Sequence, residues 1–274
     1  QVETQTGVTI YFRDEADHLI PVSRPVTFSD NPISDAMDEL VRGPARNSQL
    51  FRSIPDKNIS IEVEYVQPER TVYLEISPEL LNLNGSFQSE AVLKAILMTL
   101  SEFPAIEDVY LSVNGRQIDQ FGNIVLDQPL QPIDYFQPVF TPVLSGNRYY
   151  LTVNEGMSEE RGEISLEELI RQVLRTSRAL PFVPDDLELL NLNLSAERIV
   201  LNMNGSFTGL FSEAPEETDV LHSLMVLDAL FMTLFENSNR LRAEIYVNGD
   251  VWTPPDGYPP LSRFFRQPYY INPE

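Results

Sequence analysis

The chain has 274 residues and a formal net charge of -22, from 41 acidic and 19 basic residues. This length is typical of two domains, and a hydrophobic content of 42% is enough for packed cores. The charge opposes binding to a nucleic-acid backbone or an anionic membrane surface. With no cysteine, the chain has no disulfides, thiolate nucleophiles or cysteine-based metal sites. Its apolar runs are shorter than the ~20 residues that span a bilayer.

The first predicted elements are a strand and an amphipathic helix. The β-rich run Val8–Phe12 predicts a strand, and the charged residues Asp14, Glu15, Asp17 and His18 predict a long loop after it. From residue 33 the apolar period becomes helical, as shown by Ile33, Ala36, Met37, Leu40 and Val41. Asn31 and Pro32 suit the start of this helix, and Gly43-Pro44 its end.

A β-hairpin, a second helix and a final strand follow. Alternating apolar residues at 59–65 and 72–76 predict two antiparallel strands with one buried face. A helix is predicted from Ser89 to Leu100, and we expect it at the domain centre because it is apolar on more than one face. With a last strand at 108–113, the unit is β-α-β-β-α-β.

The same order of elements returns in the second half, which indicates a tandem repeat. Asn84-Gly85-Ser86-Phe87 recurs as Asn204-Gly205-Ser206-Phe207, and the helical stripe recurs at 166–174 behind a Ser165/Glu168 capping box. Two further pairs match in order: Leu97–Leu100 with Glu102 and Phe231–Leu234 with Glu236, then Val113–Gly115 and Val247–Gly249.

The second copy is predicted to begin near Tyr149. Its hairpin is expected at 190–203, its long helix from near Thr218 and its last strand at 243–247. The residues between Phe207 and Thr218 are extra relative to the first copy, and we interpret them as a longer surface loop.

The segment 116–147 is rich in proline and contains Tyr135-Phe136-Gln137-Pro138, which is similar to residues 264–268. We expect each unit to end in such an aromatic arm, packed on its own domain, because a free linker would carry few apolar aromatics. The predicted domains are 1–145 and 146–274. The predicted fold class is α+β, with two tandem βαββαβ domains, each a small mixed sheet packed against two helices.

Histidines offer little evidence of catalysis. His18 lies in a charged loop and His222 in the second long helix, and neither has a counterpart in the other copy. We interpret both as solvated or structural. The sequence contains no zinc-protease, nucleophile-elbow, P-loop or dinucleotide-binding motif.

Three acidic pairs could act as acid and base or hold a hard cation: Glu159-Glu160, Asp185-Asp186 and Glu216-Glu217. Adjacent acids lack the alternating spacing of a calcium loop, so we interpret them as solvated. The acidic loops 155–163 and 212–219 are expected to keep the chain soluble, with a partner surface as the alternative. No catalytic, cofactor-binding or metal-binding residue is predicted.

The polar residues present in both copies suggest structure. Thr99 and Thr233 are expected to bond back to the preceding helical turn, with Glu102 and Glu236 facing solvent. Asn-Gly at 114–115 and at 248–249 is typical of a tight turn with positive φ. One aromatic set is read as a packed arm, with an exposed adhesive patch as the alternative: Trp252, Phe264, Phe265, Tyr269 and Tyr270.

Five segments together resemble one known family: Tyr11-Phe12, Leu40–Pro44, Ile54-Pro55, Met98–Glu102 and Val113–Gly115. Their order is similar to the GerM domain of bacterial sporulation and spore germination proteins, over roughly residues 7 to 120. The second copy keeps Met232-Thr233-Leu234 but has Arg175-Thr176-Ser177 where the family has Gly-Pro, so it resembles a diverged copy.

This resemblance implies an extracytoplasmic protein, commonly a membrane-tethered lipoprotein, with tandem domains related to the ring-building modules of envelope complexes. In sporulating bacteria such proteins are similar to components of the channel complex between mother cell and forespore. Residue 1 is Gln and no leader is present, so we expect the leader and the lipid anchor to be missing from this sequence.

Two hypotheses follow. The first is a non-enzymatic envelope interaction protein whose partners are other envelope proteins, with self-association through the domain faces. The alternative is an accessory or catalytic module acting on cell wall or a small periplasmic ligand. A deep pocket with converging carboxylates of Glu159, Glu160 or Asp185 would favour the alternative.

Overall fold

The computed structural model describes residues 5–27, 30–55, 58–83, 86–156, 163–195, 198–240, 242–259 and 271–274. The chain forms two compact units. Unit 1 comprises Gln1–Asp134, Ser145–Asn147 and Tyr270–Glu274, and unit 2 comprises Tyr135–Leu144 and Arg148–Tyr269. Neither unit is one continuous stretch of chain, and the domain boundary at 145/146 stays a prediction.

Unit 1 contains a hairpin, a mixed sheet and two helices. In chain order the elements are β1 (Gln5–Arg13), β2 (Leu19–Thr27), α1 (Pro32–Arg42), β3 (Ile61–Val66), β4 (Thr71–Ile76), α2 (Ser86–Ser101), β5 (Asp108–Val113), β6 (Arg116–Gln117), β7 (Gln120–Phe121) and β8 (Ile124–Val125). Strands β1 and β2 pair antiparallel, and the sheet order is β3-β4-β5-β6. Because α2 connects β4 to β5, those two strands lie parallel, while the outer pairs are antiparallel.

Unit 2 repeats this architecture. Its elements are β9 (Pro138–Ser145, of which the last residue is grouped with unit 1), β10 (Arg148–Glu155), α3 (Leu166–Ser177), β11 (Leu189–Leu194), β12 (Ile199–Met203), α4 (Glu217–Glu236), β13 (Ala243–Val247) and β14 (Asp250–Val251). The sheet order is β11-β12-β13-β14, with the same antiparallel, parallel and antiparallel pairs. The α+β prediction of two repeated mixed-sheet units is confirmed.

Local sequence signals place both ends of α1 and the start of α3 correctly. Asn31 Oδ1 accepts the N–H of Ser34 at 3.2 Å, and Ser165 Oγ accepts that of Glu168 at 3.2 Å. Gly43 ends α1 with φ of 84°, a left-handed value that favours glycine. These caps satisfy N–H groups that have no partner inside the helix.

Strand β2 was not predicted. The charged residues after β1 form only a short turn, in which Asp14 Oδ1 accepts the N–H groups of Ala16 and His18, both at 2.8 Å. Residues 19–27 then return as a strand despite Pro21 and Pro25. Both strands of a two-stranded hairpin are edges, and an edge tolerates residues that lack an N–H donor.

The start of the second copy also needs correction. Pro138–Ser145 is strand β9, paired with β10, and not an aromatic arm of the first domain. The second copy therefore has its first strand before Tyr149, the predicted start. Pro138 and Pro142 indicate a loop in the sequence, so this strand was not predicted. A two-stranded hairpin tolerates both prolines because each of its strands is an edge strand.

The repeated Asn-Gly-Ser-Phe letters have different local structures in the two copies. Helix α2 begins at Ser86, three residues earlier than predicted, whereas Gly205–Leu210 forms a separate short 3-10 helix before α4. Asn84 and Gly85 lie outside the described residues. In the second copy, the extra residues are more than a surface loop, because Leu210 and Phe211 are buried.

The long helices form the centre of each unit. Thr99 and Thr233, in the last turns of α2 and α4, are fully buried. Helix α4 reaches the length and apolar composition of a membrane span, contrary to our reading of the apolar runs. Its buried residues lie in the core of unit 2, which explains the composition without a membrane.

A buried ionic cluster joins β2, α1 and residues 271–274 within unit 1. Arg24 donates to Glu39 at 3.0 Å and to the side chain of Glu274 at 2.7 Å. Beside it, Ser23 N donates to Ile271 O at 2.8 Å, and Ser23 Oγ accepts the N–H of Ile271 at 2.9 Å. Residues 271–274 therefore complete one edge of the first hairpin.

Candidate functional site

The end of α2 carries polar residues that recur in α4. Thr99 Oγ1 donates to Ala95 O at 2.8 Å, which confirms the predicted bond to the preceding turn. Glu102 does not simply face solvent, because its Oε1 accepts the hydroxyl proton of Tyr11 at 2.7 Å. In unit 1 this pair therefore stabilises the helix end and holds it against β1.

The equivalent threonine in unit 2 makes a different contact. Thr233 Oγ1 accepts the backbone N–H of Phe140 at 2.9 Å, and one turn later Asn237 Nδ2 donates to Pro138 O at 2.7 Å. These bonds fix β9 against α4. The sequence prediction of a bond within the helix missed this acceptor role, because β9 itself was not predicted.

An open groove lies where α4 ends, and we call it the helix-end groove. It has a volume of about 690 Å³ and is lined by residues 136–137, 163–166 and 236–240 together with Leu169 and Leu194. Phe136 is 77% exposed and Leu194 is 57% exposed at its rim. An open groove with apolar side chains suits an extended polypeptide better than an enclosed small substrate.

Paired hydrogen bonds set the shape of this groove. Gln137 Nε2 donates to Ile164 O, and Gln137 Oε1 accepts the N–H of Ile164, both at 2.7 Å. Charged groups lie around the apolar rim, with the carboxylates of Glu163 and Glu236 and the guanidinium of Arg240 among the lining residues. Sequence analysis missed Phe136 and Gln137 as groove residues because it assigned them to an arm.

Unit 1 has a smaller hollow at the corresponding helix end. It has a volume of about 460 Å³, and its lining includes Glu107, Asp108 and Asp134. Arg70 donates to the carbonyls of Pro104 at 2.9 Å and Ala105 at 3.1 Å. The loop that borders this hollow is therefore pinned to the sheet.

The outer face of the unit 1 sheet is aromatic and acidic. The rings of Tyr73 and Tyr110 stack with centroids 5.4 Å apart. Desolvation and then the charge of Glu69 raise the pKa of Tyr73. A hydrogen bond from Ser112, followed by backbone N–H donors at the adjacent turn, lowers the pKa of Glu75.

Both Asn-Gly pairs form tight turns, as predicted. Asn114 and Gly115 have φ of 53° and 71°, and Asn248 and Gly249 have 52° and 93°. The support differs between the copies. Gly115 N donates to Glu75 Oε1 at 3.2 Å, whereas Gly249 N donates to the amide oxygen of Asn202 at 2.9 Å.

The two histidines have structural contacts. His18 Nδ1 lies 2.9 Å from Asp14 Oδ2 in the β1–β2 turn. His222 stacks on Phe182 at 4.2 Å between ring centroids and meets the edge of Tyr149 at 5.3 Å. These contacts agree with the structural interpretation of both residues.

The two acidic pairs in the described part of the chain, Asp185-Asp186 and Glu216-Glu217, each contribute one residue to a local structural contact. Asp186 accepts the hydroxyl proton of Ser206 at 2.7 Å, and Glu216 forms a reciprocal capping box with Asp219 at the start of α4. Asp185 lines neither cavity described above, and Glu159-Glu160 lies outside the described residues. Among the described residues, no group of three His, Asp or Glu side chains is placed to hold a metal ion.

Trp252 packs, as expected. Its ring contacts Phe207 at 4.9 Å and Phe211 at 4.5 Å, and Phe211 meets Tyr258 at 5.2 Å. The insertion before α4 thus supplies an aromatic ring to the core of unit 2. Phe264, Phe265, Tyr269 and Tyr270 lie outside the described residues.

Known proteins match this chain over two different ranges, one within unit 1 and one across both units. The family described as "Germane: Sporulation and spore germination" matches residues 9–119, within unit 1. Over 265 residues the chain is 22% identical to the spore germination protein GerM of Bacillus subtilis (strain 168), covering 88% of this chain and 71% of that protein. The range of the family match agrees with the resemblance found in the sequence over roughly residues 7 to 120.

The fold is similar to the solved tandem GerMN domains of the sporulation protein GerM from Bacillus subtilis. The TM-score is 0.66 at 16% identity, with 98% of this chain and 99% of that chain covered. The first GerMN domain of the same protein aligns with 46% of this chain and 97% of its own, at 19% identity and a TM-score of 0.41. The tandem structure thus shares the fold across both units.

Proposed function

We propose that the chain is a non-catalytic component of an extracytoplasmic envelope complex, because residues 9–119 match the family of sporulation and spore germination proteins and the chain is 22% identical over 265 residues to the spore germination protein GerM. The main support for the proposal is that the polar residues common to both copies form hydrogen bonds within the protein. Thr99, Thr233 and the two Asn-Gly turns all bond to the protein's own backbone or side chains. The polar residues common to both copies therefore support the fold, which favours an interaction protein over a duplicated catalytic site.

The open surfaces support the same proposal. The helix-end groove of unit 2 has an exposed aromatic ring and a lining of both polar and apolar side chains, and the sheet face of unit 1 presents two stacked tyrosines. Large exposed aromatic and apolar side chains are enriched where proteins bind each other. Both surfaces are shallow, and such geometry suits a protein partner.

In-cell crosslinking tests the proposal. A photo-crosslinking residue at Phe136, 77% exposed in the groove, should capture envelope proteins in intact sporulating cells. The same probe at Leu221, 58% exposed on α4, is the control for random collision and should capture less. Recovery of the protein alone from both positions would contradict the proposal.

Location and catalysis need separate measurements. The family resemblance supports a location outside the cytoplasm, so added protease should degrade the protein in cells whose outer layers have been opened but whose cytoplasmic membrane is intact. Protection of the protein there would overturn that part. Release of soluble fragments from purified peptidoglycan by the protein would overturn its non-catalytic part.

A further inference from the structure

The edge strand β11 differs from its counterpart β3 in a way that bears on binding. Each is the first strand of its four-stranded sheet, and in the described part of the chain no strand pairs with its outer edge. On β3 the exposed positions are Glu62 and Glu64, charges of the kind that block pairing with another strand. The sequence of β11 is Leu-Leu-Asn-Leu-Asn-Leu, with no charge.

The register shows which backbone groups β11 offers. Ser195 N donates to Arg198 O at 3.0 Å just beyond the strand, so this is a hydrogen-bonded pair. Such pairs alternate along an antiparallel ladder, and therefore Leu192 and Leu194 direct their N–H and C=O groups away from β12. These groups are available to an added strand.

The free edge runs into the helix-end groove. Leu194, the last residue of β11, lines that groove, and Phe136 stands on its rim. A strand added beside β11 would continue into this groove, which is lined by both apolar and polar side chains. Backbone pairing would supply affinity, and the groove would select the side chains.

Charge selects the occupant. Glu188 precedes β11 with its side chain 60% exposed and 3.7 Å from Arg178. At the other end, Glu163 and Glu236 line the groove together with Arg240, so carboxylates outnumber guanidinium groups there. A second copy would bring its own charge of -22 to the same place and be repelled. We propose that β11 and the helix-end groove accept an extended segment of a basic protein, in which apolar residues alternate with lysine or arginine.

The proposal rests on the proposed function only for the compartment of the partner, and purified protein tests it directly. The probe is a short labelled peptide of alternating valine and lysine, measured by fluorescence anisotropy at about 0.15 M salt. The intact chain should bind it. The same peptide N-methylated at alternate residues should not bind, because it lacks the donors for strand pairing.

Two substitutions at one position give the critical comparison. Leu194→Lys places a like charge against the peptide and Leu194→Pro removes an outward N–H, and each should weaken binding about tenfold or more. Leu221→Lys makes the same charge change at the same exposure in the same unit, 58% against 57%, away from the edge. It should leave binding nearly unchanged.

The opposing results are distinct. If Leu221→Lys weakened peptide binding as much as Leu194→Lys, the loss would come from long-range charge and not from the strand edge. If a peptide of alternating valine and glutamate bound as well as the valine and lysine peptide, a basic partner would be excluded. Self-association that Leu194→Pro abolishes would make a second copy the occupant. Each overturns the proposal while leaving in-cell crosslinking to decide the proposed function.

Discussion

The two units use the same architecture with different contacts at the same positions. The buried threonine near the end of the long helix bonds to its own helix at Thr99 but holds a strand at Thr233. The Asn-Gly turn is held by a carboxylate in unit 1 and by the amide of Asn202 in unit 2. A repeated fold therefore tolerates exchange of its supporting residues, provided that each buried polar group keeps a partner.

The two units also differ in the edge of the sheet and in the hollow beside the long helix. The outer edge of β3 is protected by charge, and the hollow near it is pinned by Arg70, whereas the edge of β11 is uncharged and opens into a larger groove. The family match lies in unit 1. The comparison therefore shows that the two copies share a fold but differ in the charge of the sheet edge and in the size of the hollow at the helix end.

The largest expected effect is a loss of stability in the aromatic core of unit 2. Phe207 is fully buried against Phe211 and Trp252, so Phe207→Ala should lower the free energy of unfolding of unit 2 by about 4 kcal/mol. Trp252 is the single tryptophan, and its fluorescence in urea titrations reports unit 2. Val251→Ala, at an exposed position, should change stability by less than about 0.5 kcal/mol. Similar losses in both variants would contradict a localised aromatic core.

The buried ionic cluster gives the next largest effect, in unit 1. Arg24→Ala leaves the buried Glu39 and Glu274 without their shared cation and should cost about 3 kcal/mol of unfolding free energy. Arg42→Ala removes an exposed partner of the same Glu39 and should cost under about 1 kcal/mol. Far-UV circular dichroism in urea measures both. Equal costs would show that burial does not distinguish the two arginines.

The paired threonines sharpen the comparison. Thr233→Val leaves the backbone N–H of Phe140 without its hydrogen-bond acceptor and should lower the free energy of unfolding by about 2 kcal/mol. Thr99→Val removes a donor from a carbonyl that lies inside a helix, and we expect a loss below about 0.5 kcal/mol. Thermal unfolding compares these isosteric variants, and a larger loss at Thr99 would reverse the assignment.

The smallest expected effect is a pH dependence of one turn. The pKa of Glu75 is lowered on folding. The ionised carboxylate therefore stabilises the folded protein above its unfolded pKa near 4.5, and this contribution is lost as pH falls toward the lower pKa of the folded state. Amide exchange at Gly115 should therefore rise in acid relative to Gly249, whose acceptor Asn202 does not titrate. Glu75→Gln should remove this difference, and its persistence would assign the acid sensitivity to another group.

Periodic and capped elements were predictable from sequence. Helix α1 has an apolar stripe, an Asn31 cap and a terminal Gly43, all of which are local signals. Strands β2 and β9 were not predictable, because their prolines indicate loops unless the hairpin partner is known. The exposed edge of β11 and the groove beside it depend on strand order and on Gln137 meeting Ile164, which no local pattern encodes.

Residues 271–274 have a consequence for the order of folding. They hydrogen-bond to β2 and place Glu274 beside Arg24, so contacts within unit 1 join residues about 250 positions apart. During synthesis from the amino terminus, the first hairpin is made long before these residues emerge. Unit 1 therefore completes these contacts only after the residues of unit 2 have been synthesised, so the docking of residues 271–274 onto β2 comes late in folding.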